Sequence, residues 1–363
     1  MAEISALLTT RDRAHLLPRV LGALQRQTLP PSRFEIVVVD DGSTDGTWAV
    51  LQRYADKLPL RVLRQRHSGL AEAKNLGVFA AGSPIIIFLD DDDVADPNLI
   101  TAHLAMHIAH PQPGIAVLGH TRLAPEVVRF SVMRHVTEVG CQLFSYGGLR
   151  PGQILGYTEF WGGRSSCKRE LLLRHGAFNP IFRFGYEDIE CAWRLAPHGL
   201  QVIYEPAASS TMIRAISFDD FCARSYRQGR SQFQFARLHP DPAVREYCEI
   251  DVALAAWNKH WRDYAAILRR TRALDRLANI RLEAGFGIPI LFQKRLDAAY
   301  RQAFFLSRAK GVADALALAP AEPAQLSPVD GRPRYGLQGN LFDLLRPPEA
   351  KGKLQDLQEK AAS

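Results

Sequence analysis

Short apolar segments alternate with amphipathic segments over the first hundred residues of the chain. Runs of aliphatic and β-branched residues predict strands at 4–8, 35–39, 60–64 and 85–89. The helical spacing of apolar residues predicts helices between them, at 15–27, 44–55 and 70–80. Such alternation is typical of a parallel sheet covered by helices, so we expect an α/β fold with a Rossmann-like, mostly parallel sheet.

Polar residues directly follow three of the predicted strands. Thr9 and Thr10 follow the first strand, and Asp41 closes the second. The fourth strand is apolar throughout, which implies burial on both faces, and it is followed by Asp90, Asp91, Asp92 and Asp93. Ligands of open parallel sheets bind beyond the carboxyl ends of the strands, so the sequence predicts a binding site at this edge.

The later parts of the chain change pattern twice. Residues 115–215 indicate a mixed α/β region, and from residue 218 the apolar spacing is helical, over 218–235, 244–272 and 274–318. We therefore expect a helical C-terminal extension. The residues after 320 are rich in proline, glycine and charge, and they predict an irregular or mobile tail.

Composition places the chain among globular proteins, with 47% hydrophobic and 23% charged residues. The net charge of +7 suits a phosphate-bearing substrate, an anionic glycan or an anionic membrane surface, although many enzymes without such partners are equally basic. We expect no signal peptide, and no apolar run reaches the roughly 18 residues of a membrane span. The five cysteines are scattered without a C-x-x-C pair, which favours reduced thiols in a cytoplasmic protein.

The four consecutive aspartates carry a chemical signal of their own. Their like charges would raise one another's pKa unless a cation lay among them. Carboxylate oxygens are the ligands that Mn²⁺ and Mg²⁺ prefer, and Mg²⁺ commonly bridges a protein to substrate phosphates. The alternative is a solvated acidic loop. Because the cluster directly follows a buried strand, we favour a site for Mn²⁺ or Mg²⁺.

Three segments, in this order along the chain, resemble glycosyltransferase family 2: EIVVVDDGSTDGT, GLAEAKNLGVFAAGSPIIIFLDDDDVADPNLI and FRFGYEDIECAWRL. The resemblance extends over residues 4–240. It implies the GT-A fold, with a nucleotide-sugar-binding half at 1–115 and an acceptor-binding half at 116–240. A helical C-terminal region at 241–320 and the tail at 321–363 would follow.

The resemblance implies which residues meet the nucleobase. Thr9, Thr10 and Arg11 form the turn after the first strand, and Arg11 stands where the family often has an aromatic ring, so that a guanidinium would stack on the base. Asp41 would accept the imide N–H of a uracil or thymine base. The local alternative is that the DDGS segment is an ordinary turn before a helix.

The resemblance also implies the phosphate and metal contacts. Lys74 lies on the helix that approaches the diphosphate in the family; otherwise it is a solvated surface lysine. Asp92 would bind the metal. Asp90 and Asp91 would lie near the ribose and the water shell of the metal.

Asp188 fits the position of the catalytic base in this inverting family, and Glu187 would be its neighbour at the acceptor or donor sugar. By itself, the pair would be explained as acids at the positive end of a helix dipole. Trp161, Gly162 and Gly163 match the segment that lines the acceptor or sugar pocket in the family. An aromatic residue beside a glycine pair is also ordinary core packing.

One position departs from the family pattern. Many relatives have a histidine that completes the metal shell, and Arg214 is among the residues that stand there instead. Either the metal has fewer protein ligands, or Arg214 contacts the diphosphate directly. Arg224, Arg227 and Arg230 follow at spacings of three and share a helical face, which would bind an anionic acceptor or a membrane surface, or simply face solvent.

Together these features predict an inverting, metal-dependent hexosyltransferase. It would move a sugar from a nucleoside diphosphate donor, UDP-linked, to a hydroxyl of a glycan or lipid-linked acceptor. The family resemblance implies bacterial surface polysaccharide synthesis as the setting. The alternatives are a nucleotidyltransferase, whose glycine-rich phosphate loop is missing here, and a degenerate, non-catalytic nucleotide-sugar-binding module. We expect no nucleic-acid partner and a cytoplasmic location. For the helical C-terminal region the sequence leaves three alternatives open: peripheral contact with the inner face of the membrane, self-association into a homo-oligomer, or a lid.

Overall fold

The computed structural model describes residues 2–319. Within this range the chain forms nine strands: β1 (Ile4–Thr10), β2 (Phe34–Asp41), β3 (Leu60–Gln65), β4 (Ile85–Leu89), β5 (Asp93–Ala95), β6 (Ile115–Leu123), β7 (Ile154–Leu155), β8 (Ser165–Lys168) and β9 (Gln201–Met212). The α-helices of the same range are α1 (Leu17–Leu24), α2 (Thr47–Ala55), α3 (Leu70–Ala80), α4 (Leu99–Ala109), α5 (Pro125–Val128), α6 (Ser131–Arg134), α7 (Arg169–His175), α8 (Glu187–Leu195), α9 (Phe218–Leu238), α10 (Pro242–Tyr247), α11 (Ile250–His260), α12 (Tyr264–Glu283) and α13 (Ile290–Ala317). The tail predicted at 321–363 lies outside the described residues.

The strands join one sheet in the order β3-β2-β1-β4-β8-β6-β9-β5, with β7 paired to β9. β1 to β4 pair in parallel, as their alternation with helices predicts. β8 then lies antiparallel between β4 and β6, while β6 and β9 pair in parallel. Because β8 runs opposite to β4, the residues just before β8 lie beside the acidic turn that follows β4.

Both faces of the parallel strands are covered, so their residues alternate between two hydrophobic clusters. In β4, Ile87 packs into the cluster that contains α1, whereas Phe88 packs into the one that contains α8. α3 lies very close to β1, since a Cβ on Gly77 would be 2.2 Å from Leu7 Cδ1. This burial holds the strand ends, and the polar residues on them, in fixed positions.

The long C-terminal helix α13 packs against α9, and the two helices approach each other at glycines. A Cβ on Gly229 would lie 2.0 Å from the Arg308 carbonyl oxygen, and one on Gly311 would lie 2.0 Å from that of Tyr226. One glycine on each helix therefore permits backbone contact. α13 thereby becomes part of the same body as the predicted acceptor half.

The structure divides two helices that the sequence predicts as continuous. The predicted helix at 244–272 is interrupted near Glu249, whose φ is 50°, and again between α11 and α12. The predicted helix at 274–318 is interrupted by a turn that contains Gly285, with φ 77°, and Pro289. Apolar spacing continued across these turns and so concealed them. Among residues 2–319, no helix has the length and apolar character needed to cross a membrane.

Candidate active site

The loops after β1 and β2 are tied together by polar side chains. Asp12 Oδ1 accepts from the Thr44 backbone N–H at 2.8 Å, and the Asp12 backbone N–H donates to Ser43 Oγ at 2.9 Å. The predicted nucleobase residues lie at this edge: Thr10 is buried at the end of β1, and Arg11 is exposed after it. Their contact with a base stays a prediction, together with that of Thr9.

Asp41 organises the turn that leads into α3. Its carboxylate accepts from the Gln65 side chain at 2.8 Å, from the backbone N–H groups of Ser68 and Gly69 at 2.8 and 3.0 Å, and contacts His67 Nδ1 at 2.8 Å. Burial acts to raise the pKa of Asp41, but the hydrogen bonds outweigh it and the pKa lies below its usual range. Asp41 is therefore an ionised residue that holds its loop. The predicted contact with a base would be an additional role.

The acidic turn after β4 is neutralised by arginines that are distant in sequence. The ion pairs are Asp90 Oδ2 with Arg164 Nη2 at 2.9 Å, Asp91 Oδ1 with Arg13 Nε at 3.5 Å, and Asp92 Oδ2 with Arg214 Nε at 2.6 Å. The sequence predicts a cation among these acids. In the structure, three guanidinium groups supply positive charge there. Arg13 and Arg164 were missed because no motif marks a lone arginine as the partner of a remote carboxylate.

The four aspartates occupy different environments. Burial and the neighbouring charge of Asp92 raise the pKa of Asp91 to about 7. Asp93 is buried and accepts from Thr121 Oγ1 and Ser210 Oγ, both at 3.0 Å, which makes it part of the sheet. Burial raises the pKa of Asp93 to about 7 as well. Asp90 is the most accessible of the first three, with a side chain 45% exposed.

The residues present fit a divalent cation that a substrate helps to hold. Within residues 2–319, no three His, Cys, Asp or Glu side chains are grouped closely enough to form a complete metal cage. Asp90 and Asp92 nevertheless offer carboxylate oxygens on one turn, and Mg²⁺ often uses one or two carboxylates together with substrate phosphates. Arg214 occupies the region of the histidine found in many relatives and binds Asp92 directly.

A buried ion pair connects α3 to the start of α8. Lys74 is 4% exposed, and its Nζ lies 2.8 Å from Glu187 Oε1, while Glu187 Oε2 has no hydrogen-bond partner among the described residues. The charges of Glu187 and Asp188 outweigh burial and raise the pKa of Lys74. Lys74 is therefore not a solvated surface residue. Its predicted contact with a diphosphate stays a prediction.

Gly162 and Gly163 separate the acidic turn from the predicted base. The Gly162 backbone N–H donates to Asp188 Oδ2 at 2.9 Å, and the Gly163 carbonyl accepts from the Asp90 backbone N–H at 3.2 Å. A Cβ on Gly162 would lie 2.4 Å from Lys74 Nζ, and one on Gly163 would lie 2.0 Å from Asp90 Oδ2. A side chain at either position would therefore displace one of these charged groups. The two sites predicted from separate motifs are thus adjacent.

Trp161, which precedes the glycine pair, is held by its neighbours. Its Nε1 donates to the Thr158 carbonyl at 2.9 Å, and its ring meets the edge of Tyr146 with centroids 5.3 Å apart. The indole is therefore oriented on the border of the site. Its predicted contact with a sugar stays a prediction.

The turn before α8 holds Asp188 with a strained backbone. Gly185 and Tyr186 both have left-handed φ values, 71° and 66°, and Tyr186 lacks the freedom of glycine. Burial and the charge of Glu187 raise the pKa of Asp188, and Lys74 acts against them. A carboxylate with a raised pKa, held in place, has the properties of a general base.

Two arginines of α9 lie over the ring of Phe184, the residue directly before the turn that leads into α8. The Arg224 and Arg227 guanidinium groups lie 5.1 and 4.0 Å from the centre of the Phe184 ring. Neither forms an ion pair with a carboxylate of the described residues. Burial and the charge of Arg214 lower the pKa of Arg224, although Asp90 acts against them. Arg230, the third arginine of this predicted face, is exposed.

Comparison with known proteins places this chain in a family. The profile of Glycosyl transferase family 2 matches residues 5–159, and that of Glycosyl transferase family group 2 matches residues 85–274. Validoxylamine A glucosyltransferase of Streptomyces hygroscopicus subsp. limoneus is 34% identical over 221 residues, which cover 54% of this chain and 48% of that protein. The PGL/p-HBAD biosynthesis glycosyltransferase of Mycobacterium tuberculosis (strain ATCC 25177 / H37Ra) is 33% identical over 179 residues, or 49% of this chain and 61% of that protein. The chain thus spans about half the length of the Streptomyces relative.

A solved structure supports the fold. The mannosyltransferase PcManGT from Pyrobaculum calidifontis, in complex with GDP-Man and Mn²⁺, matches with a TM-score of 0.54 at 21% identity. The match covers 86% of this chain and 87% of that one. The expected GT-A fold is confirmed. The second family profile covers more than half of the residues of this chain, and the chain therefore belongs to glycosyltransferase family 2.

Proposed function

We propose that this chain is an inverting glycosyltransferase that moves a hexosyl group from a nucleoside diphosphate sugar, UDP-linked, to a hydroxyl of a glycan or lipid-linked acceptor. The observation that carries the proposal is the position of Asp188. Its carboxylate has a raised pKa and lies one glycine pair away from the acidic turn. The glucosyltransferase name of the Streptomyces relative supports a hexosyl donor. Bacterial surface polysaccharide synthesis in the cytoplasm is the setting we propose.

In the proposed reaction, the acceptor hydroxyl oxygen attacks the anomeric carbon of the donor sugar from the face opposite the diphosphate. Asp188 takes the hydroxyl proton as the new bond forms, and the bond between the anomeric carbon and the phosphate oxygen breaks. Arg214 and Arg224 are the cations available to balance the negative charge that develops on the leaving diphosphate. Glu187 precedes the base in sequence and binds Lys74, whose charge lowers the pKa of Asp188.

Asp92, together with Asp90, would hold Mn²⁺ or Mg²⁺ beside the donor. When bound, such a cation would clamp the diphosphate and stabilise its charge. Arg214 binds Asp92 in the structure at 2.6 Å. The guanidinium would therefore exchange this carboxylate for a phosphate when the cation and donor arrive.

UDP release from UDP-sugars in the presence of Mn²⁺ tests the proposal. Asp188→Asn should lower the rate by about 10²–10⁴-fold, because a general base is lost. Asp92→Ala should weaken activation by Mn²⁺, and the exposed Asp56→Asn is the matched control. A rate that survives both site variants would contradict the mechanism. Release of pyrophosphate would indicate a nucleotidyltransferase, and binding of UDP without turnover would indicate a non-catalytic module.

We also propose that the turn between α12 and α13 contacts an anionic membrane. Four apolar residues there are strongly exposed: Ile280 (61%), Phe286 (63%), Ile290 (75%) and Leu291 (82%). Arg276, Lys294 and Arg295 are exposed close to them in sequence, and Glu283 is an exposed acid in the same stretch. Exposed apolar side chains with an excess of basic residues nearby suit the interface of anionic lipids.

Flotation with vesicles tests this contact. The full chain should bind vesicles that contain phosphatidylglycerol more tightly than pure phosphatidylcholine vesicles. Phe286→Ser with Leu291→Ser should abolish binding, whereas Ile108→Ser, an exposed residue of α4, should not. Equal binding to both vesicle types contradicts the proposal. A dimer that the double variant dissociates would instead show that a second copy covers this turn.

A further inference from the structure

A cavity of about 400 Å³ adjoins the turn that carries Asp188. It lies between the loop at 140–142, Tyr186, and the helices α9 and α13. Its volume falls in the range of sites for a single small ligand. A Cβ on Gly185 would touch Gln228 of the cavity wall at 3.3 Å, so the turn before α8 forms one side of the cavity. None of the sequence motifs predicts this cavity.

The backbone around this cavity is strained in three separate segments. Within residues 2–319, four non-glycine residues have left-handed φ values, and three of them line the cavity: Cys141 (50°), Tyr186 (66°) and Glu249 (50°). Such conformations cost free energy and persist where the surrounding structure requires them, which is often at ligand sites. Three strained segments that converge on one cavity indicate a built site.

Three residues of α9 give one side of the cavity a polar but uncharged lining. Ser225, Gln228 and Gln232 face the cavity from one side of the helix. Gln232 is 2% exposed, and its Nε2 donates to Tyr186 Oη at 2.5 Å, while its Oε1 has no partner among the described residues. A buried amide oxygen without a partner is costly, and a ligand hydroxyl would satisfy it.

The remaining walls carry no free charge. Glu249 and Arg308 bind each other, so neither presents an unpaired charge to the cavity. Phe221 and Phe304 are buried, with ring centroids 4.6 Å apart, and they supply an apolar floor. Amides, hydroxyls and aromatic rings without a free ion form a lining that suits a neutral ring with several hydroxyls.

We infer that this cavity binds the acceptor, and that the acceptor part inside it is a neutral, polyhydroxylated ring such as a sugar or a cyclitol. The inference rests on the proposed function, because Asp188 must receive the proton of the acceptor hydroxyl. α9 then serves two ligands. Its arginines at 224 and 227 lie on Phe184 near the donor side, and its amides at 228 and 232 line the acceptor side.

Binding of small probes to the full chain, saturated with UDP and Mg²⁺, tests the inference by saturation-transfer NMR. The probes are methyl glucoside, myo-inositol and glucose 6-phosphate. Gln232→Leu should weaken the neutral probes about tenfold, the effect of one lost hydrogen bond. Ser225→Leu, which fills the cavity, should abolish their binding. Gln234→Leu, on the same helix but outside the cavity, is the matched control.

The outcomes separate this inference from the proposed function. UDP affinity within about twofold of wild type shows that each variant is folded. Neutral probes that bind wild type and both cavity variants equally, or that fail to bind wild type, overturn the acceptor cavity. Glucose 6-phosphate binding more than about tenfold tighter than methyl glucoside overturns the neutral class. The proposed function fails separately, through UDP release that does not depend on Asp188.

Discussion

The buried pair of Lys74 and Glu187 makes a quantitative prediction about stability. Lys74→Met keeps the length of the side chain but removes its charge, leaving the Glu187 carboxylate, 3% exposed, without a counterion. Breaking a buried pair by removing one partner costs about 3–5 kcal/mol of the free energy of unfolding. Lys74→Met should also raise the pKa of Asp188, because the positive charge of Lys74 lowers the pKa of that carboxyl group.

A second variant tests whether the unpaired charge of Glu187 causes this loss of stability. Lys74→Met combined with Glu187→Gln removes both charges, so no buried ion remains, and the double variant should lie within about 2 kcal/mol of wild type. Urea unfolding followed by tryptophan fluorescence measures these free energies. Lys259→Met, on an exposed site of α11, should change stability by less than about 0.5 kcal/mol.

Two results would refute the reasoning. If Lys74→Met lost less than about 1 kcal/mol, the pair would be solvated rather than buried. If the double variant were no more stable than Lys74→Met alone, the loss would come from packing around the lysine stem and not from an uncompensated carboxylate.

Three further predictions concern pH and backbone space. The transfer rate should rise with pH through the raised pKa of Asp188, and Glu187→Gln should move this midpoint to lower pH because it removes a negative charge; an unmoved pH–rate profile contradicts this. Gly163→Ala places a Cβ 2.0 Å from Asp90 Oδ2 and should weaken UDP–Mg²⁺ binding by about tenfold or more in calorimetry; unchanged affinity contradicts the close approach. Burial lowers the pKa of His107 from 6.5 to about 3, so the fold requires the neutral ring. Between pH 6.5 and about 3, wild type should lose up to about 1.4 kcal/mol of unfolding free energy for each pH unit relative to His107→Gln, and parallel pH curves would refute this.

The strands of the first half could be predicted from the sequence because their burial is complete and their residues are β-branched. The run at 85–89 matches β4 to the residue. The break near Glu249 could not be predicted, since apolar spacing runs across it. The break at 284–289 is marked by Gly285, Gly287 and Pro289, but the apolar spacing outweighed that signal in the prediction. Helical periodicity reports which face is buried and says little about a turn that keeps the same face inward.

The candidate site could be predicted only in part, for a related reason. Motifs marked Asp92 and Asp188, and the order of the segments implied that they belong to one site. The pairing of Lys74 with Glu187 joins residues 113 apart in sequence, and that of Arg13 with Asp91 depends equally on the folded sheet. Single basic residues carry no local signal of their partners. The roles assigned to all these residues in donor and acceptor binding stay predictions.

The glycine pair before β8 is a mechanical link as well as a spacer. One end of it is hydrogen-bonded to the backbone of the acidic turn and the other to the carboxylate of Asp188. A donor that displaces this strip changes the hydrogen bond to Asp188 and with it the proton affinity of the base. By thermodynamic reciprocity, protonation of Asp188 then changes the affinity for the donor by the same factor. Occupancy of the proposed donor site and the proton affinity of the proposed base would thereby be coupled through two residues that have no side chains.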